Sequence, residues 1–247
     1  MKPYLLPWRH RQRGFLINPY ALAVTGGGPT DPSFANVVSL LHFNGADGGT
    51  TFTDQKGKTW TASGTPTTST AQFVYGTASL LDATAQSHIV TASHADFGYG
   101  TGDWTIEFWF RPSSLSGGAQ GLYDQRTAGG QPRPCIFTLG GGDLRYHASG
   151  ADRITAPGGT IVVNTWAHIA VCKVSGTTRM FKDGTQVGSN YTDAINYETS
   201  GAMIGNFGDQ PANTFGTVGN YDDFRATKGV GRYAANFTAP PAQFPDS

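Results

Sequence analysis

The chain has 247 residues, a formal net charge of zero and only 14% charged residues. Glycine accounts for 34 residues and 38% of the chain is hydrophobic, so a large core can form although apolar runs stay short. These totals favour one β-rich domain over a helical bundle, and the absence of any run of about 18 apolar residues predicts no membrane-spanning helix.

Residues 1–33 differ in composition from the rest of the chain. They carry four basic side chains against one acidic side chain, together with five prolines and three consecutive glycines at 26–28. Because proline is excluded from helix interiors and central strands, we expect an extended arm linked to a domain over residues 34–247. Asn18 and Pro19 interrupt the apolar run over 15–24, which disfavours a secretory signal peptide.

The arm is too apolar for a simple solvated tail, and aromatic anchors with basic neighbours are typical of protein interfaces. We therefore expect the arm to bind a partner protein. The residues expected to make this contact are Tyr4, Trp8, Arg9, Arg11, Arg13, Phe15 and Tyr20.

From residue 36 onward, short apolar segments alternate with turns rich in Gly, Asp, Asn and Ser, as in β-proteins. The segment 104–110 places Trp104, Ile106, Phe108 and Phe110 on one face, and the segment 166–174 has the same period of two. This pattern predicts an all-β fold, an antiparallel sandwich of two packed sheets. The predicted strands are 37–43, 79–82, 88–92, 104–111, 121–123, 135–139, 144–147, 166–174, 178–182, 185–188, 202–205 and 220–225.

The two cysteines, Cys135 and Cys172, each lie in an apolar, strand-like run. Two buried free thiols are the first expectation, and a single disulfide is the alternative. Two cysteines without neighbouring ligands do not provide a structural zinc site.

Residues that could catalyse a reaction or bind a metal ion are sparse. Glycoside hydrolysis normally uses two carboxyl groups flanking the bond, yet the chain has two glutamates and no acidic residue two positions from another. There is no G-x-S-x-G nucleophile motif, and the six histidines lack a metal-binding spacing. His42 and His168 are expected to be hydrogen-bonded within sheets, whereas a metal between His88 and His94 is a weak alternative. We expect no enzymatic activity, no cofactor and no catalytic residue; no metal-ligating residue is named, and a calcium site stays open.

The segment "NYDDFRATKGVGRY" contains the adjacent pair Asp222 and Asp223. Neighbouring residues of a strand point to opposite faces, so the two carboxylates are not expected to act together. Asp223 and Arg225 would share a face and form an ion pair, and Arg232 would fold back on the strand. The segment is therefore predicted to close the sandwich.

Four blocks in this order resemble a known family. They are "VVSLLHFNGADGGTTFTDQKGK", "GTGDWTIEFWFRP", "NTWAHIAVCKVSGTTRMFKDGTQVGS" and "NYDDFRATKGVGRYAANFTAPPAQFP". Over about residues 36–245 they resemble laminin G-like domains of the concanavalin A-like lectin/glucanase superfamily. The last block is similar to such modules in virion proteins of tailed bacteriophages. The chain departs from the family's "FDG…Y" pattern around Asp82, so no calcium role is carried over to that loop.

The resemblance implies a jelly-roll, concanavalin A-like sandwich in a non-enzymatic bacteriophage structural protein at the virion surface, as a capsid decoration or a tail or baseplate component. The arm would bind major capsid or tail proteins, with the protein present as a homo-oligomer or in several symmetric copies per particle, and the sandwich would adhere to a host surface glycan. A lectin acting in host receptor recognition is the alternative, and a glycoside hydrolase of the same fold is disfavoured by the carboxylates. The sandwich has more acidic than basic residues, so no nucleic acid partner is expected.

A glycan site would use aromatic faces and amide side chains on loops at one rim of the sandwich. Each candidate, taken singly, is also compatible with a packing role. The candidates are Tyr99, Tyr123, Tyr191, Tyr197, Asn206, Phe207, Asp209, Gln210, Asn213 and Phe215.

Overall fold

The structure, a computed structural model, describes residues 30–115, 118–210 and 215–247. Over these ranges the chain forms β-strands and two short 3-10 helices, at Phe34–Asn36 and Ala95–Phe97. The strands are β1 (Val37–Leu41), β2 (Phe52–Thr53), β3 (Thr59–Ser63), β4 (Thr67–Ser69), β5 (Ser79–Asp82), β6 (His88–His94), β7 (Trp104–Ser114), β8 (Gln120–Asp124), β9 (Cys135–Thr138), β10 (Leu144–Ala148), β11 (Ala151–Thr155), β12 (Ala167–Val174), β13 (Thr177–Lys182), β14 (Thr185–Thr192), β15 (Ser200–Ile204) and β16 (Val218–Lys228).

The strands form two antiparallel sheets that pack into a jelly-roll sandwich. Sheet 1 has the order β14-β13-β12-β7-β16-β5-β4, with β1 also paired to β16, and sheet 2 has the order β11-β10-β9-β8-β15-β6-β3-β2. Strand β7 pairs with both β12 and β16, so the middle and the end of the chain meet in one sheet. The predicted all-β sandwich is confirmed.

The alternation predicted for β7 sets the inner face of sheet 1. Four residues of this strand are at most 1% exposed and belong to the core: Trp104, Ile106, Phe108 and Phe110. Glu107, which lies between Ile106 and Phe108 in the sequence, faces outward. Removing a large apolar side chain from water contributes about 1.5–3 kcal/mol, so each of these four residues adds to the driving force for folding.

Aromatic rings join the two sheets across the core. Trp104 of sheet 1 stacks on Tyr99 at 5.5 Å between ring centroids and lies 5.9 Å from Tyr146 of sheet 2. Phe224 of sheet 1 stacks on Tyr123 of sheet 2 at 5.6 Å. Such pairs add about 0.5–1.5 kcal/mol beyond the area that they bury.

The C-terminal segment, residues 229–247, covers the outer face of sheet 1. Tyr233 and Phe237 stack at 3.6 Å, and Phe237 packs at 5.3 Å from Phe181 of β13. Further along, the Phe244 ring lies 3.8 Å from the guanidinium of Arg225. The outer face of sheet 1 is therefore largely closed to a ligand.

A buried ion cluster fastens this segment. The Glu107 carboxylate accepts hydrogen bonds from Arg225 at 2.8 Å and from the Tyr233 hydroxyl at 2.7 Å. Burial opposes the charge of Glu107, but Arg225, His168 and Arg232 outweigh it and lower the Glu107 pKa to about 2. Asp31, on the arm side of the predicted boundary, accepts from Arg225 at 3.1 Å and from Arg232 at 2.7 Å.

The two adjacent aspartates of β16 do not point to opposite faces, contrary to the prediction. Asp223 has a φ of +47°, and the register with β7 shifts between Asp222 and Arg225, which marks a β-bulge. Tyr221 and Phe224 therefore both enter the core, and the two aspartates between them both project outward.

Each aspartate holds a different segment. Asp222 accepts hydrogen bonds from the backbone N–H groups of Val74 at 2.6 Å and Tyr75 at 3.1 Å, and Asp223 accepts from that of Phe244 at 2.7 Å. Arg225 is ion-paired with Glu107 rather than Asp223, which corrects the predicted pair. Arg232 does fold back on β16, where its Nε donates to the Thr227 hydroxyl at 2.9 Å, so the segment closes the sandwich as predicted.

His42 is hydrogen-bonded as expected, and it ties the two ends of the described chain together. Its Nδ1 lies 2.6 Å from Asp223 and its Nε2 lies 2.7 Å from Asp246. Both cysteines are buried and free, so the disulfide alternative is wrong.

Within the described ranges, no group of three or more His, Cys, Asp or Glu side chains is placed to hold a metal ion. No helix of that part of the chain is long and apolar enough to cross a membrane. Residues 1–29 lie outside the described residues, so the extended arm and its contact residues Tyr4, Trp8, Arg9, Arg11, Arg13, Phe15 and Tyr20 stay predictions.

Candidate functional site

The outer face of sheet 2 carries a cleft of about 380 Å³. In β10, Leu144, Tyr146 and Ala148 enter the core, so that Arg145 and His147 point outward. The register places His147 directly opposite Asp152 of β11. The cleft is lined by Ala119, Arg126, Phe137, His147, Asp152, Phe207, Asp209, Gln210 and Phe215.

The loop that follows β15 forms one wall of the cleft and lies directly on β8. Gly121 of β8 donates its N–H to the Phe215 carbonyl at 2.9 Å and forms a parallel bridge with Gly216. A Cβ on Gly121 would lie 2.5 Å from the backbone carbon of Asn206, so only glycine permits this approach. The Gly208 N–H donates to Asp124 at 3.0 Å and fixes the loop further.

Three aromatic rings give the cleft an apolar surface. Phe207 packs edge-on against Phe137 at 5.7 Å and against Phe215 at 6.4 Å. Phe137 and Phe207 are nearly buried, whereas Phe215 is 39% exposed at the cleft.

Arg126 lies at the base of the cleft and is held by carboxylates. Its Nε and Nη2 donate to Asp124 at 3.0 and 2.8 Å, and Nη2 also donates to Asp209 at 3.4 Å. Burial disfavours the charge of Arg126, but the bonds to Asp124 outweigh burial and raise the Arg126 pKa. The guanidinium lies 5.6 Å from the centre of the Phe207 ring, so it also packs against the aromatic surface.

Asp152 is a charged hydrogen-bond acceptor at the other side of the cleft. His147 lies 2.8 Å from one of its oxygens, and Arg145 donates to the other at 2.8 Å. Partial burial would raise the Asp152 pKa, but His147 and Arg145 together lower it. Asp152 therefore stays ionised at neutral pH and presents a charged hydrogen-bond acceptor at the cleft.

The structure brings four of the predicted glycan-binding residues together in this cleft, and they all lie on the loop after β15. They are Phe207, Asp209, Gln210 and Phe215. Asn213 of the same loop lies outside the described residues. Sequence reasoning missed the other polar and aromatic lining residues, which lie near β8 or on β9, β10 and β11: Arg126, Phe137, His147 and Asp152. The alternation of "LRYHA" in β10 was the one available signal, because it turns His147 outward.

The remaining predicted candidates lie elsewhere. Four of them are at most 4% exposed and pack in the interior: Tyr99, Tyr123, Tyr197 and Asn206. Tyr191 of β14 packs at the edge of the core, where the Arg153 guanidinium lies 5.2 Å from its ring.

Comparison with known families places these features in a wider group. A laminin G-type family model, described as the concanavalin A-like lectin/glucanases superfamily, matches residues 82–230. No curated protein sequence matches the chain.

Several solved structures share the fold at low sequence identity. The binding domain of botulinum neurotoxin DC in complex with SialylT is 11% identical with a TM-score of 0.55, over 80% of this chain and 49% of that chain. Trypanosoma rangeli sialidase is 14% identical with a TM-score of 0.57, over 85% and 32%. Domain 4 of a GH43 extracellular arabinanase from Geobacillus stearothermophilus, in complex with arabinotriose, is 16% identical with a TM-score of 0.55, over 79% and 94%. The chain spans about half the length of the botulinum structures that it matches.

Proposed function

Because the chain belongs to the concanavalin A-like lectin/glucanase superfamily, we propose that it is a non-enzymatic module that binds a carbohydrate in the cleft on sheet 2. The observation that carries this proposal is the exposed Phe215 ring beside charged and amide side chains in a concave site. Sugars combine apolar C–H faces with hydroxyl groups, and such a site matches both. The arabinotriose complex of the similar arabinanase domain supports it.

The carboxyl groups support binding rather than hydrolysis. A general acid needs a pKa raised toward neutrality and access to the substrate. In the cleft, the Asp152 pKa is lowered. Burial raises the pKa of Asp222 to about 7 and that of Asp82 well above its usual range, but both side chains are fully buried on sheet 1.

The binding proposal is tested on a glycan array, followed by titration of the sugar that binds best. Phe215→Ala should weaken that binding at least about tenfold, which corresponds to about 1.4 kcal/mol, because it removes the exposed stacking surface. Phe73→Ala is the matched control, since Phe73 is 42% exposed and does not line the cleft. Binding to no sugar, or equal effects of the two substitutions, would overturn the proposal.

The proposed lack of enzymatic activity has its own test. A panel of glucans, agars, arabinans and peptidoglycan is incubated with the protein, and newly formed reducing ends are measured. We expect none above background. Release that disappears in Asp152→Asn or Asp209→Asn would show that the cleft is catalytic.

We also propose a setting for this module, the surface of a bacteriophage virion. The closing block over residues 220–245, similar to that of tailed-phage virion modules, and the basic, aromatic residues 1–33 support it. In this proposal residues 1–33 bind capsid or tail proteins and several symmetric copies display their clefts outward.

The setting is tested by adding variants to particles that lack the protein and counting the bound copies. Trp8→Ala should weaken incorporation more than Arg11→Ala, because buried aromatic anchors contribute about 2 kcal/mol or more and exposed charges about 0–1 kcal/mol. Unchanged incorporation after deletion of residues 2–25 would contradict anchoring through the arm.

A further inference from the structure

The charges around the cleft bear on the kind of sugar that it takes. Asp152 and Asp209 both line the cleft, and Arg126 is the one permanent cation among its described lining residues. A third carboxylate, Asp124, lies directly behind Arg126. Acidic groups therefore outnumber the permanent cation at this site.

Arg126 already has two carboxylate partners within the protein, Asp124 and Asp209. It holds Asp124 through two nitrogens, at 3.0 and 2.8 Å, and the Asp124 side chain is 0% exposed. If a ligand carboxylate drew the guanidinium away from Asp124, it would leave that carboxylate as an uncompensated buried charge, which is strongly unfavourable. The positive charge of Arg126 is thus balanced by Asp124 and Asp209 before any ligand binds.

The other nearby cation is occupied in the same way. The Arg145 guanidinium lies 5.9 Å from the Phe137 ring at the cleft. It donates to Asp143 at 2.8 Å through Nε and to Asp152 at 2.8 Å through Nη1. One cation is thus shared between two carboxylates, and Asp152 keeps one oxygen facing His147 rather than Arg145.

We propose that the cleft takes an uncharged sugar and discriminates against sugars that carry a carboxylate, a specificity that rests on the carbohydrate-binding function proposed above. A neutral sugar places a C–H face on Phe215, and its hydroxyls donate to the Asp152 and Asp209 carboxylates. These charge-assisted hydrogen bonds are stronger than those between neutral groups. A carboxylated sugar meets two like charges at short range in a partly desolvated site, where screening by salt is weak.

This specificity separates the chain from two structures that share its fold. One is in complex with SialylT and another is a sialidase, whereas a third is in complex with arabinotriose. The charge pattern of the cleft favours an uncharged ligand. The backbone does not distinguish the three structures, because their TM-scores are 0.55, 0.57 and 0.55.

The experiment uses the full chain and pairs of related sugars in which one member is neutral and the other carries a charge. Lactose is compared with sialyllactose, galactose oligomers with galacturonic acid oligomers, and N-acetylglucosamine oligomers with their de-acetylated forms, together with arabinose oligomers. Titration should give, for the pair with measurable binding, an affinity at least tenfold higher for the neutral member than for the carboxylated one. Equal or tighter binding of the carboxylated member overturns the proposal, and so does binding confined to the amine-bearing oligomers.

Two substitutions test whether the carboxylates cause the discrimination. Asp209→Asn and Asp152→Asn keep the side-chain shape and remove the negative charge, so the ratio of neutral to carboxylated affinity should fall at least about threefold in each. Asp183→Asn is the matched control, because Asp183 lies in the β13–β14 turn of sheet 1 and tolerates asparagine at its φ of +50°. An unchanged ratio in both cleft variants overturns the electrostatic explanation.

The failure of this inference is distinguishable from failure of the proposed function. If a sialylated or uronic sugar binds best and Phe215→Ala abolishes that binding, carbohydrate binding stands and the neutral specificity is wrong. If no sugar of either class binds, both are wrong.

Discussion

The positive φ of Asp223 places two neighbouring carboxylates, those of Asp222 and Asp223, on the same outer face of sheet 1. Its effect is visible at His42, which lies between Asp223 and the exposed Asp246 and connects β1 to the end of the chain. A strict period of two cannot reveal such a bulge, because Asp222 and Asp223 look like an ordinary strand pair in the sequence. The sequence therefore predicts the structural role of the two aspartates, which is to close the sandwich, but not that both point to the same face.

His42 should make stability depend on pH. Burial tends to lower its pKa, but hydrogen bonds to Asp223 and Asp246 outweigh burial and raise it. A histidine with a raised pKa in the folded state stabilises fully below its unfolded value of about 6.5, and this contribution is lost as pH rises through the folded pKa. Between pH 6 and 9 the native protein should lose stability relative to His42→Gln, which stays neutral.

Urea unfolding of both proteins across this pH range measures the difference. Asp246→Asn is a graded control, because Asp246 is 62% exposed and is only one of the two carboxylate partners of His42. It should reduce the pH dependence without abolishing it. Parallel pH profiles of native protein and His42→Gln would show that the histidine does not titrate in this window.

Strands with a clear period of two were found from the sequence, and polar edge strands were not. Each of the twelve predicted strands overlaps a strand of the structure. The missed strands β2, β3, β4 and β11 are short or rich in Thr, Ser and charged residues, and β2, β4 and β11 lie at sheet edges. Edge strands pack on fewer neighbours, so their sequences carry a weaker apolar pattern.

Two hairpin turns of the same kind provide a test of how the C-terminal segment is held. Gly176 and Gly184 follow Ser175 and Asp183, and all four have positive φ, as in type I′ turns. A Cβ on Gly184 would lie 2.0 Å from the Phe237 carbonyl oxygen, whereas on Gly176 the nearest atom is 4.0 Å away. Gly176→Ala should lower the free energy of unfolding by about 1–2 kcal/mol through backbone strain alone, and Gly184→Ala should cost clearly more.

Limited proteolysis of the two glycine variants distinguishes backbone strain in the turn from displacement of the C-terminal segment. Cleavage within residues 229–247 should accelerate in Gly184→Ala and stay at the native rate in Gly176→Ala. Equal stability losses and equal cleavage rates would mean that the contact with Phe237 contributes nothing to holding the segment.

The two outer faces of the sandwich are built differently, and this difference arises from the tertiary fold. Residues 229–247 close the outer face of sheet 1, while the outer face of sheet 2 keeps its cleft. Phe207, Asp209, Gln210 and Phe215 could be predicted as a group because they lie close together in a single loop, and the structure places them all in the cleft. Arg126, His147 and Asp152 were missed because strand pairing alone brings them there. Tyr123 was misplaced because a bulge in β8 turns it into the core.

Stability and binding should therefore be separable across the molecule. Phe244 is 4% exposed, packs with Val37 and Leu40 and covers Arg225 on sheet 1. Phe244→Ala should lower the free energy of unfolding by about 3–5 kcal/mol, as large-to-small core changes do, and lower Tm by about 10 °C. At a temperature where the variant is folded, its affinity for the cleft sugar should equal that of the native protein.

Phe215→Ala should do the opposite, with weakened binding and a Tm within about 2 °C of the native protein, because a partly exposed ring contributes little to folding. Calorimetric unfolding gives the Tm of each variant, and sugar titration gives its affinity. Weakened binding in folded Phe244→Ala would show that the C-terminal segment supports the cleft through the core. The two faces would then be coupled, and sheet 2 would not bind independently of the covering of sheet 1.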